Sequence, residues 1–232
     1  MIESYISYLI RQPIVCIAVF ITIVPIALIF IRKAYINPIF LILLIYLLIK
    51  FSLDLIMFHY AANRSNNIIF ESLIVLIRYT FLSSIFCFQL ENKHFKRIIT
   101  LTIITFIIFS IWDFFSINES ISSSHDHKEF LYSTTVECLL MICWIMVYFY
   151  ETIRSLKIPN LLSYPFFWLC SGMLIYYSSI VFLTPFFHYT FKWNGGMDLG
   201  FFIYVPSISE SISMIFISIG IWFFSAKNYA KQ

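Results

Sequence analysis

Two oppositely charged residues lie one helical turn apart in the apolar stretch LLIYLLIKFSLDLIMF, residues 43–58. Lys50 and Asp54 have i, i+4 spacing, so on a helix they share a face and are able to form an ion pair. Ionisable side chains inside a membrane are costly, by about 2.5–3.5 kcal/mol each at the centre of a helix, and they commonly mark functional sites. This stretch is therefore the first candidate for a functional site.

Further ionisable groups occur in other apolar stretches, and most are expected between the middle of the membrane and its outer surface. The concentration of ionisable groups in the outer half of the helices predicts a polar cavity that opens towards the exterior and binds a ligand. The alternative is a set of ion pairs between helices, joining Lys50 or Arg78 to Glu210 or Glu137, that holds the bundle in register. The candidate cavity residues are Lys50, Asp54, Glu71, Arg78, Asp113, Glu137, Tyr176 and Glu210.

The composition identifies the class of protein that must position these groups. The chain has 232 residues, of which 61% are hydrophobic and only 12% charged, whereas soluble domains have about 25% charged residues. The charge deficit extends over the whole length, so we expect one polytopic, all-α membrane domain over residues 1–232 that contacts the lipid bilayer. The formal net charge of +3 is too small to indicate a nucleic-acid partner.

Seven stretches approach the roughly 20 apolar residues that a membrane-crossing helix needs. They predict a bundle of seven transmembrane helices, the first with a kink at Pro25. The predicted helices cover residues 13–31, 38–60, 68–90, 98–117, 130–150, 165–187 and 199–225.

The Lys and Arg residues between these helices predict the orientation, because cytoplasmic loops are enriched in them. Basic residues are more frequent on one side of the bundle than on the other. This bias places the N-terminus outside and the C-terminus in the cytoplasm of a multi-pass inner-membrane protein. The basic residues of the predicted cytoplasmic side are Arg32, Lys33, Lys93, Lys96, Arg97, Arg154, Lys157, Lys227 and Lys231.

The sequence does not contain the residues or motifs that several kinds of chemistry require. A retinal Schiff base would need a lysine in the middle of the seventh helix, and the only lysine near that helix is Lys227, at its end. The motif His125-Asp126-His127 has weak metal-binding spacing and lies in a Ser-rich loop, so we expect neither a metal nor another cofactor. The five cysteines have no ligand spacing, and no catalytic motif supports an enzyme mechanism.

One stretch, YPFFWLCSGMLIYYSSIVFL at residues 164–183, resembles a family of uncharacterised seven-helix membrane proteins abundant in Bacteroidota. The resemblance rests on Pro165, Phe167, Trp168, Ser171, Gly172, Tyr176 and Ser178. It is strongest over residues 136–223 and looser before them. The chain departs from that pattern at Cys170, where the family has Asn, and at Ser179, where it has Gly. The resemblance implies a companion of two-component sensor kinases and assigns no residue a role.

These observations favour a receptor-like or sensory membrane protein. A ligand in the outward cavity would bias the bundle, and the signal would pass through the short basic loops to a membrane-bound signalling partner. A small-solute or proton-coupled transporter is the alternative, since buried carboxylates and lysines serve proton relays. An intramembrane enzyme is the third and least supported hypothesis.

Overall fold

The computed structural model describes residues 2–63, 65, 67–117, 131–155, 161–193 and 200–224. Within these residues, seven helical spans are long and apolar enough to cross a membrane, as the sequence predicts. The α-helices are α1 (Ile2–Arg11), α2 (Pro13–Ile21), α3 (Ile23–Ile31), α4 (Pro38–Ala62), α5 (Ile68–Gln89), α6 (Lys93–Ile117), α7 (Leu131–Ser155), α8 (Pro165–Trp193) and α9 (Val205–Phe223). Short 3₁₀ helices cover Ala34–Ile36, Leu161–Ser163 and Gly200–Tyr204.

The first span is divided at Thr22 into α2 and α3. Pro25, where the sequence predicts a kink, has no N–H to donate to the carbonyl of Ile21, so the helical hydrogen-bond ladder loses a bond at this point. The distortion falls one turn before the proline. One face of the span is buried, with Thr22 fully inaccessible and Cys16, Ala18 and Ile29 in the interior, whereas Ile17, Ile23 and Val24 are exposed.

Helix α1 precedes the first span and was not predicted. Its polar residues Glu3, Ser4, Ser7 and Arg11 recur at helical spacing and lie along one face, with apolar residues on the other. Such an amphipathic helix is typical of a segment that lies at the surface of a membrane rather than across it. It packs against α4 through Tyr5, which stacks on Phe58 with ring centroids 5.8 Å apart.

Six of the spans form a closed ring. Helix α4 packs against α5, α5 against α7, α7 against α8 and α8 against α9, and the α2–α3 span connects α9 to α4. Helix α6 lies outside this ring, against α5 and α7. Its outer face is apolar and exposed at Leu101, Ile104 and Ile108, as expected for a surface that contacts lipid.

The closest packing in the ring is between α8 and α9, where glycine is required. A Cβ atom on Gly172 would lie 2.8 Å from the Cβ of Phe216 and 2.9 Å from the carbonyl oxygen of Ser213. On α9, a Cβ on Gly220 would lie 2.6 Å from the carbonyl oxygen of Pro165. Small residues at such contacts allow membrane helices to approach closely, which is the principal way they gain packing energy in lipid.

The direction of the helices gives the bundle two distinguishable ends. One end, called the α1 end, contains α1, the end of α4, the start of α5 and the 3₁₀ helix Gly200–Tyr204. The other end, called the Lys33 end, contains Lys33, the end of α5 and the end of α9. Lys33 adopts a left-handed conformation, φ 53°, at the connection between α3 and the 3₁₀ helix Ala34–Ile36.

Candidate functional site

A cavity of about 440 Å³ lies inside the ring of helices. Residues at the α1 end line its mouth, among them Tyr8, Asn67 and Phe187. Its floor lies near the middle of the bundle, where charged side chains from three helices meet. The floor residues are Lys50, Asp54, Arg78, Tyr176 and Glu210.

Lys50 bridges two carboxylates at the floor of the cavity. Its Nζ lies 2.5 Å from Oδ2 of Asp54, in the pair that the i, i+4 spacing predicts, and 2.5 Å from Oε1 of Glu210 on α9. The three side chains form a lysine–carboxylate cluster that joins α4 to α9. Two anions share one cation here, so the cluster carries a surplus negative charge when all three groups are ionised.

A second ion pair lies beside this cluster and involves α5 and α7. Arg78 donates from Nε to Oε1 of Glu137 at 2.6 Å and from Nη2 to Oε2 at 2.5 Å, which is the bidentate arrangement that fits a guanidinium to a carboxylate. Arg78 also donates from Nη1 to the hydroxyl of Tyr176 at 2.7 Å, and Tyr177 donates to Oε1 of Glu137 at 3.0 Å. All members of this network are therefore hydrogen-bonded, as buried polar groups require.

The two clusters differ in how much of them the cavity exposes. The side chain of Glu137 is fully buried behind Arg78, and those of Lys50 and Asp54 are 5% and 7% exposed. The side chain of Glu210 is 24% exposed. Oε2 of Glu210 accepts no hydrogen bond from the part of the chain that the structure describes. Glu210 is thus the ionic group of the two clusters that is most accessible from the cavity.

Apolar side chains separate the floor from the Lys33 end. Beneath the floor lies a void of only about 30 Å³, bordered by Tyr46, Leu82, Met173 and Ile217 as well as by the charged groups. Below it, buried residues of four helices, including Leu43, Phe86, Leu169 and Ile221, fill the centre of the ring. Water entering the cavity from the α1 end would therefore meet a packed apolar layer below the ion clusters.

The predicted site residues are only partly brought together. Lys50, Asp54, Arg78, Tyr176 and Glu210 meet at the floor, and Glu71 lines the mouth on α5. Glu137 contacts the floor through Arg78 without lining the cavity.

Asp113, also predicted at the cavity, lies elsewhere, between α6 and α7. Its Oδ2 accepts hydrogen bonds from the backbone N–H of Ser133 at 2.9 Å and from the hydroxyl of that residue at 2.5 Å. Asp113 does not reach the cavity because α6 lies outside the ring, where its carboxylate contacts α7 instead.

Sequence reasoning missed the contribution of α1. Tyr8 lines the mouth of the cavity, and Tyr5 is hydrogen-bonded to His59 Nδ1 at 2.5 Å, near the end of α4. Burial of Tyr8, with a smaller effect of Cys16, raises the pKa of its phenol above the ordinary value, so this hydroxyl stays protonated at neutral pH. The helical spacing of the polar residues over 2–11 is the signal that could have identified α1.

The described residues contain no group of three or more His, Cys, Asp and Glu side chains placed to hold a metal ion. His125, His127 and the rest of the loop 118–130 lie outside the described residues, as do Lys157, Lys227 and Lys231.

The fold and the cavity define a multi-pass membrane bundle with a central cavity that has ionic groups at its floor. No family model, curated protein or solved structure matches this chain. A function must therefore be inferred from the site itself.

Proposed function

We propose that this protein is a receptor-like membrane protein that binds a small polar solute in the central cavity and passes its occupancy to a membrane-bound partner. The observation that carries the proposal is the cavity of about 440 Å³ with ionic groups at its floor. A concave site with a few converging polar groups among apolar walls is the usual form of a small-molecule site. The volume fits a solute of a few heavy atoms to a small drug-sized molecule.

The closed lower half favours a receptor over a channel. The cavity ends at Lys50 and Arg78, and apolar side chains fill the ring beneath them. A solute that bridged α4, α5, α8 and α9 would bias the packing of the ring without crossing it. Packed helices respond to such a bias by shifting between discrete arrangements.

The orientation is part of the proposal. We infer that the α1 end faces the exterior and that the Lys33 end faces the cytoplasm, because the Lys33 end includes Arg32, Lys33, Lys93, Lys96 and Arg97. The partner would then contact this basic end. A small periplasmically active reporter fused before α1 should be active, and a cytosolic reporter in the same place should be inactive. The opposite result would overturn the orientation and with it an external solute.

The binding proposal is tested by filling the cavity. Thr184 of α8 lines the cavity, whereas Phe182, two residues away on the same helix, is 78% exposed on the outer surface. A library of small polar solutes is first screened for those that raise the melting temperature of the purified protein. We expect a stabilising solute to act on wild type and on Phe182→Trp, and to lose its effect on Thr184→Trp because the indole occupies its volume. Failure of every solute, or equal stabilisation of both variants, would refute the proposal.

A proton-coupled transporter is the second candidate, and the interruption of the first span at Thr22 favours it. Interrupted spans beside a central site are a feature of many transporters, and α2 and α3 both pack against α9, which supplies Glu210. Proteoliposomes that contain a pH-sensitive dye distinguish the two functions. A transporter would give solute-dependent acidification of the lumen that Glu210→Gln abolishes, whereas a receptor would bind the solute and give none.

A further inference from the structure

We propose that the solute of this cavity is a small organic cation, such as an amine or a quaternary ammonium compound. The inference rests on the proposed function, and it names the chemical class of the ligand. Three features of the site carry it: its charge, the exposure of its ionic groups and the nature of its walls.

The charges at the floor do not balance. Among the described residues, the carboxylates of Asp54, Glu210 and Glu137 form ion pairs with two cationic side chains, Lys50 and Arg78. The pair of Arg78 with Glu137 is neutral and internally hydrogen-bonded, so the surplus negative charge belongs to the lysine–carboxylate cluster. In a medium of low dielectric constant this field attracts cations and repels anions.

The cationic groups are already covered by other residues. The ammonium group of Lys50 lies 2.5 Å from two different carboxylates, and the guanidinium of Arg78 is held by Glu137 and Tyr176. An anionic ligand would have to displace these partners. A cation would instead meet the accessible carboxylate of Glu210, whose side chain is 24% exposed against 5% for Lys50.

The walls suit an organic cation better than a bare metal ion. Above the carboxylates the cavity is lined by Met57, Phe58, Ile180, Leu183 and Phe187. Apolar and aromatic walls solvate the carbon atoms of an amine, and aromatic faces also attract its charge. A sodium or potassium ion would need several oxygen ligands close together, and a cavity of about 440 Å³ is much larger than such a site.

The test compares ligands of the same shape and different charge. Choline and its neutral carbon isostere 3,3-dimethylbutan-1-ol are titrated into the purified full-length protein by calorimetry, with ethanolamine, acetate and sodium chloride as further probes. We expect at least one of the two cations to bind, and choline to bind at least ten-fold more tightly than its isostere. Acetate should not bind, and sodium chloride at equal ionic strength should not compete.

The matched variants are Glu210→Gln and Glu151→Gln, since Glu151 lies near the Lys33 end of α7, remote from the cavity. Glu210→Gln should reduce cation binding at least ten-fold, because it removes the accessible charge while Lys50 keeps Asp54 as its partner. Glu151→Gln should bind as wild type does. If Glu210→Gln does not fold, the preference of the wild-type protein for choline over its isostere still decides the question.

The two proposals fail in different ways. Binding of the neutral isostere or of acetate in preference to the cations would overturn the inference and leave the solute cavity in place. The inference would also be overturned if sodium ions competed for the site as strongly as the organic cations do. Absence of binding by both cations would overturn the inference, and failure of the wider solute screen in addition would overturn both proposals.

Discussion

Loss of one partner from the Arg78–Glu137 pair should strongly destabilise the bundle. Glu137 is fully buried and accepts two hydrogen bonds from Arg78 and one from Tyr177. Glu137→Met removes all three and leaves a buried guanidinium with only the hydroxyl of Tyr176 as its partner. Breaking a buried ion pair from one side costs about 3–5 kcal/mol, so we expect the free energy of unfolding to fall by about 3 kcal/mol.

A double variant of Arg78 and Glu137 distinguishes the effect of breaking the ion pair from the effect of changing the packing. Replacing both members by apolar side chains of similar length is often close to neutral, so Arg78→Met combined with Glu137→Met should recover at least about 2 kcal/mol of that loss. Reversible unfolding in mixed detergent micelles, followed by circular dichroism, gives all four corners of the cycle. Glu151→Met, the same change near the other end of α7, should cost less than about 1 kcal/mol.

Two outcomes would refute this reasoning. A loss of less than about 1 kcal/mol for Glu137→Met would mean that the pair is solvated or replaceable. A double variant whose loss equals the sum of the single losses would mean that the two side chains do not interact, since additivity is the behaviour of independent sites.

Two further predictions concern other contacts of the ring. Gly172→Ala should lower the free energy of unfolding by about 1–3 kcal/mol, because its Cβ would lie 2.8 Å from a side-chain atom of α9. Ser171→Ala is the control and should cost about 0.5 kcal/mol or less. Equal effects of the two substitutions would contradict the close packing of α8 and α9. Lys50→Met should cost about 3–5 kcal/mol, because Asp54 and Glu210 lose the ammonium group that both carboxylates contact. The further change Glu210→Gln should restore part of this loss. An unchanged melting temperature of Lys50→Met would show that the cluster does not support the fold.

The spans could be predicted from the sequence because a membrane imposes a length and a composition on each helix. The seven predicted ranges overlap the seven spans, with ends that differ by a few residues. The first span was predicted as one helix and is two, and the seventh begins as the 3₁₀ helix Gly200–Tyr204. Helix α1 was missed because ten residues with polar positions fall below the length and hydropathy of a crossing helix.

The site could be predicted only where it is local. The Lys50–Asp54 pair follows from i, i+4 spacing within one helix. The partners across helices, Lys50 with Glu210 and Arg78 with Glu137, depend on which helices are neighbours, and a single sequence does not contain that information. The same lack of information about neighbouring helices explains why the sequence places Asp113 at the cavity. Its depth resembles that of the other carboxylates, but its helix lies outside the ring.

The proposed cavity requires that water reach the middle of the bundle from the α1 end and from that end alone. Accessibility of a single engineered thiol tests it most directly, in a variant with Cys16, Cys87, Cys138, Cys143 and Cys170 replaced. The thiol is placed at one of two positions on α8, Ile180 or Phe182. Ile180 is 7% exposed and lines the cavity, and Phe182 is 78% exposed on the outer surface.

The thiols are treated in sealed vesicles of each orientation with a membrane-impermeant methanethiosulfonate. We expect Ile180→Cys to react when the reagent is on the α1 side and not when it is on the other side. Phe182→Cys should react from neither side because it faces lipid. An unreactive Ile180→Cys would contradict the solvated cavity, and reaction from both sides would contradict its closed lower half.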